Sequence, residues 1–129
     1  MAKIKTKKWL KRITLIDVQL KSKAEELKRM TELEKLCEVS MPTNRIHIKN
    51  IIDKLNQDIE LLLRQRVEIT DTISKVGDQV MRVLLEQRYI HDTSISIIAG
   101  KIKYSTRQTK RLMEAAIEEV AEIVDGDQN

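Results

Sequence analysis

The chain has no phenylalanine, one tryptophan and two tyrosines among its 129 residues, too few rings for stacking on single-stranded nucleic acid to be a main binding mode. Its only cysteine is Cys37, so no disulfide framework exists, and the position near the end of an amphipathic helix predicts a buried structural thiol. The three glycines stand isolated, which excludes a phosphate-cradling loop, a dinucleotide fingerprint and a nucleophile elbow. His47 and His91 lie far apart with no cysteine cluster beside them, which argues against zinc. No apolar run approaches the roughly 20 residues of a membrane span. Lysines and arginines interrupt the N-terminus through Arg12, where a signal peptide needs an apolar core. A cytoplasmic protein with no catalytic machinery, metal or cofactor is expected.

What is present favours helices. Hydrophobic residues make up 41% and charged residues 34% of the chain, with a single proline, and the Ile and Val residues recur at threes and fours instead of alternating, which predicts an all-α fold. From about Thr6 to Val39, the residues Trp9, Ile13, Ile16, Leu20, Ala24, Leu27 and Met30 mark an amphipathic helix. The sequence SMPTN interrupts it: Pro42 disfavours helical geometry at Met41, and Thr43 or Asn44 can cap a second helix. In that helix Ile48, Leu55, Leu62, Ile69 and Val76 recur every seven residues. Ile52, Ile59, Ile73 and Val80 fill most companion positions, and Arg66 interrupts them; the pattern is a heptad seam.

Two amphipathic helices separated by a short break predict a long antiparallel hairpin. Its uncovered apolar surface, widened by Leu61, Leu62 and Leu63, calls either for packing on the rest of the chain or for a second hairpin in a four-helix homodimer. The dimer is the preferred expectation, with Ile48, Leu55, Leu62, Ile69 and Val76 as its dimerisation surface, because DNA-binding units of this size commonly engage two half-sites. Gly77 and Asp78 mark a boundary and a potential hinge, glycine ending one helix at C′ and aspartate capping the next. Residues 1–76 thus form the helical hairpin, 78–124 a second region and 125–129 an acidic tail.

Within Met81 to Val120 two helical stripes face each other. Ile95, Ile98, Ala99 and Ile102 form the first; Thr109, Leu112, Ala116, Val120 and Ile123 form the second, with Met113, Ile117 and Val124 as a further strip for a partner or the hairpin. Only Lys103 and Tyr104 lie between the two helices, enough for a tight turn, and small Ala99 permits close approach. Ser105 is a preferred N-cap for a helix starting at Thr106. At about 100° per residue, Thr106, Arg107, Lys110, Arg111 and Glu114 fall on one free, polar side of that helix. From Lys101 to Arg111 there are five basic residues and no acidic one. Such a face offers donors to base edges and phosphates, although a lone basic helix is ordinarily just a solvated surface. Six further basic residues, with no acidic one, occupy Met1 to Arg12. That segment is expected to be a disordered arm before Trp9 that adds nonspecific phosphate affinity.

The pattern L-x-x-R-Y, then I-x-x-I-A, a short turn, S-x-R-x-x-x-R and an apolar helix resembles region 4 of bacterial sigma factors. It is still more similar to small phage-encoded regulators with a sigma-region-4-like helix-turn-helix, grouped with late-gene transcriptional activators of Gram-positive phages, in which the domain follows a long helical N-terminal half. The resemblance implies that Thr106, Arg107, Lys110 and Arg111 face DNA, and that host RNA polymerase is recruited to a promoter in the cytoplasm of a bacterial cell. Two positions depart from the pattern. Lys103 stands where the turn usually carries glycine, at a cost of about 1 kcal/mol if its φ is positive, and Thr109 stands where Val or Ile is usual.

The residues and the resemblance together predict a sequence-specific regulator that binds double-stranded DNA. Arg107, Lys110 and Arg111 contact bases or phosphates, Thr106 makes a shorter polar contact, Ser105 caps the helix and can meet a phosphate, and Lys101 and Lys103 hold the flanking backbone. The alternative is a protein-binding regulator of the same fold, acting on RNA polymerase or another transcription regulator. Glu114, Glu118, Glu119 and Glu122 favour that alternative by setting a negative field along the later turns.

Overall fold

The computed structural model describes the backbone of residues 2–40 and 42–127 and the side chains of residues 2–37 and 43–126. The chain is all-α: no strand occurs among the described residues, which form α1 (Lys3–Ser40), α2 (Pro42–Ser74), α3 (Gln79–Leu85), α4 (Ile95–Ile102) and α5 (Thr106–Asp127). A π-helical turn, Glu86–Ile90, extends α3. None of these helices is long and apolar enough to cross a membrane.

Helix α1 opens at Lys3 and not after a disordered arm. The reason lies in the spacing of Thr6, Leu10 and Ile13, all fully buried: at three and four residues apart they form one inward stripe, and the lysines between them point elsewhere. Thr6 satisfies its hydroxyl on the Ala2 carbonyl at 3.1 Å, so its burial leaves no polar group unpaired. The break expected at Met41 lies outside the described residues. Helix α2 starts at Pro42, where the missing N–H would have had no partner within the helix; Thr43 and Asn44 consequently sit inside the first turn and do not precede it.

The chain divides into two compact units, Met1–Leu15 with Val67–Asn129, and Ile16–Arg66. The division falls inside α1 and α2, not at Gly77–Asp78, because both ends of the 1–76 segment contribute to the core of the first unit. Leu10 and Ile13 are buried there, as are Ile69, Ile73, Val76, Leu84, Leu85, Ile98, Ile117 and Val120. Helix α2 ends at Ser74, and the N–H groups of Lys75 and Val76 donate to carbonyls three residues back at 3.1 Å each. Gly77 does not adopt the left-handed terminating conformation expected of it, since no glycine has positive φ among the described residues. Its N–H instead donates to Glu119 Oε1 at 3.2 Å. Asp78 does cap α3, accepting from the Met81 N–H at 2.9 Å.

In the second unit, Lys23 Nζ pairs with Asp58 at 3.3 Å and Arg66 Nε with Asp17 at 2.7 Å. The partner numbers rise on α1 as they fall on α2, so these two segments run in opposite directions. Arg66, which interrupts the apolar register, thereby finds a carboxylate on the neighbouring helix. Leu55, Leu62, Ile69 and Val76 are buried within a single chain and Ile48 is half-buried. The heptad seam is therefore covered by intrachain packing and is not a free dimerisation surface, whereas Leu61 and Leu63 remain exposed. Cys37 is half-buried, less enclosed than a core thiol.

Candidate nucleic-acid interface

The segment leading into α4 is set by hydrogen bonds of unusual reach. The π turn places the His91 N–H on the Glu86 carbonyl at 3.1 Å, and the Thr93 N–H on Gln87 at 2.9 Å. His91 and Asp92 are exposed in the following loop, and Asp92 takes a positive φ of 51°, which a short polar side chain tolerates. Ser94 precedes α4 in extended geometry without a side-chain capping bond. Ile98 and Ala99 are buried, and Ile95 and Ile102 are half-buried.

Lys103, Tyr104 and Ser105 form the whole connection between α4 and α5. Lys103 has φ 61° and ψ 37°, the left-handed conformation, and it directs the Tyr104 N–H to the Ala99 carbonyl at 3.1 Å. The turn thus has the backbone that glycine would supply without strain, built with a lysine whose side chain projects into solvent. Ser105 then caps α5: its hydroxyl accepts from the Gln108 N–H at 3.1 Å. Its carbonyl accepts the Thr109 N–H at 2.9 Å and the Thr109 hydroxyl at 2.8 Å. That second bond explains how threonine occupies a fully buried position, because its one polar atom is satisfied locally.

Helix α5 buries Thr109, Met113, Ala116, Ile117, Val120 and Ala121, while Leu112 and Ile123 of the expected stripe are only half-buried. Met113 and Ile117 are thus covered within the chain. The opening turns of α1 reach α5, as ion pairs from Lys3 and Lys7 to Glu114 show.

Lys101, Lys103, Ser105, Thr106, Arg107, Lys110 and Arg111 are all exposed. Arg107, Lys110 and Arg111 line an open groove of about 420 Å³ together with Glu114, and among the described residues none of the three cations has a salt bridge. Two members are already engaged: Lys101 Nζ donates to Gln87 at 3.3 Å, and the Ser105 hydroxyl serves the cap. Glu114 is held on both oxygens, by Lys3 at 2.9 Å and Lys7 at 2.9 Å. Hydrogen bonds from Lys3 and then Lys7 keep its carboxyl below the usual glutamate range. Bonds to Glu114 and then Glu118 raise the Lys3 ammonium correspondingly.

Lys3 and Lys7 were not legible as part of this site. Their spacing puts them on one side of a helix, but no local signal tells that side to meet α5, more than 100 residues away. A second open groove, about 340 Å³, is lined by Lys5, Lys8, Trp9 and Arg12 on α1. A third, about 250 Å³, lies between Lys11 and Thr14 of α1 and Arg88, Tyr89 and Asp92, where burial pushes the Tyr89 hydroxyl above its ordinary value. No group of His, Cys, Asp and Glu suited to a metal occurs among the described residues. Cations at the start of a capped helix, with their donors turned to solvent, can bind phosphates and base edges. Comparisons of the chain with protein-family models, with curated proteins and with solved structures return no match.

Proposed function

We propose that the chain is a sequence-specific, double-stranded-DNA-binding transcriptional regulator in which α4, the Lys103–Tyr104 turn and α5 act as a sigma-region-4-like helix-turn-helix that follows two long helices in the sequence. Helix α5 is the reader. Arg107, Lys110 and Arg111 make the base and phosphate contacts, Thr106 a shorter one, and Lys103 steadies the flanking backbone. By resemblance, the regulator is an activator from a phage or related mobile element. The observation that carries the reading is the exposed side of α5, whose three cations follow a serine cap and have no acidic partner among the described residues.

The protein-binding alternative loses part of its support. Of the glutamates that favoured it, Glu114 and Glu118 are paired with lysines of α1 and Glu119 accepts the Gly77 N–H. Binding of duplex DNA fragments across a salt series tests the reading. Replacing Arg107 and Lys110 together with alanine leaves the circular dichroism melt unchanged, costs about 1 to 3 kcal/mol for a lost base contact and lowers the salt slope by about one for a lost phosphate contact. A parent protein that binds no duplex at about 50 mM salt, or a double variant that binds as well as the parent, would transfer the case to the protein-binding regulator.

A further inference from the structure

Glu114 is the exception on the α5 face. It lines the same groove as Arg107, Lys110 and Arg111, and a carboxylate there repels the phosphates that its neighbours attract. Between Arg107 and Glu118, α5 carries three cations and two anions, a net of +1. The structure adds Lys3 and Lys7 to that count. Lys3 Nζ lies 2.9 Å from one Glu114 oxygen and 3.1 Å from Glu118, and Lys7 Nζ lies 2.9 Å from the other Glu114 oxygen. Both glutamates are balanced, and the local net charge becomes +3. These lysines do not sit on a loose arm: Thr6, Leu10 and Ile13 fix their helix in the core of the same unit.

We propose that Lys3 and Lys7 are positioning residues of the DNA face: by holding both oxygens of Glu114 and balancing its charge, they make the Arg107, Lys110 and Arg111 side of α5 approachable by a phosphate backbone. The proposal rests on the DNA-binding reading of α5 and extends it to the opposite end of the chain. The opening turns of α1 belong to the interface without reading any base.

A double-mutant cycle tests this. The proteins are the full-length parent, Lys3→Ala/Lys7→Ala, Glu114→Gln and the combined variant. The probes are a labelled random-sequence duplex and the duplex that the parent selects best. Losing both lysines frees the carboxylate and weakens binding about tenfold. Glu114→Gln alone binds at least as tightly as the parent, and in the lysine-less background it restores binding to within about threefold of the parent. Lys3→Arg/Lys7→Arg binds as the parent does, and melting curves for every variant separate these effects from unfolding.

Failure of Glu114→Gln to restore binding overturns the proposal, and the accompanying readout says why. A salt slope lowered by about one per lysine, and still low in the combined variant, would make the lysines direct phosphate contacts. A lowered melting temperature would make them structural. If the alanine pair does not fold, Lys3→Gln/Lys7→Gln repeats the cycle with the side-chain stems kept, under the same criteria. A parent that binds through Arg107 and Lys110 but shows no recovery sinks this proposal alone, whereas a parent indifferent to Arg107 and Lys110 sinks the DNA reading with it.

Discussion

Lys103 shows how a single residue can disagree with its backbone and still be kept. Its left-handed φ of 61° crowds Cβ against the carbonyl, and glycine would relieve that contact. Lys103→Gly is therefore expected to raise stability by about 1 kcal/mol, read as a higher urea midpoint at unchanged m-value. Lower stability would show that the lysine side chain contributes more than its backbone costs. Thr109 resolves a second disagreement by different means, since its hydroxyl reaches the Ser105 carbonyl one turn back. In both cases an atypical residue leaves the local geometry in place, which is why the turn was readable despite them.

Helices α3 and α5 were largely legible because their starts are written in neighbouring residues, whereas α4, whose Ser94 makes no capping bond, was legible from its apolar spacing. Asp78 and Ser105 each accept from an N–H three residues on, and a cap depends on little else. The opening of α1 was not legible, because six basic residues in the first twelve read as solvated and the stripe of Thr6, Leu10 and Ile13 needs a distant partner to be buried. The same non-locality hid the contact of Lys3 and Lys7 with Glu114. A test at this level is Leu10→Ala, which is expected to cost about 2 to 5 kcal/mol in a denaturant titration. Leu15→Ala, on an exposed side of the same helix, should stay within about 0.5 kcal/mol. Equal, small effects at the two positions would return the N-terminus to the role of a peripheral arm.

For the molecule as a whole, the heptad seam marks where a periodic pattern leaves its partner unspecified. A repeat of seven is satisfied equally by a second copy or by another helix of the same chain, and here Leu55 and Leu62 are buried without a second copy. Leu55→Asp/Leu62→Asp should accordingly abolish much of the helical circular dichroism, with sedimentation showing no change of state that leaves helicity intact. A clean fall from dimer to folded monomer would instead restore the seam to an intermolecular role. The division into units also bears on synthesis. Residues 16–66 contain both halves of their own unit, whereas residues 1–15 share a core with residues beyond 67. At about 5 to 20 residues per second, residues 1–15 leave the ribosome several seconds before α5 exists to meet them. During that interval Leu10 and Ile13 lack the later residues with which they form their core, so the burial of this end of the chain is a late event in folding.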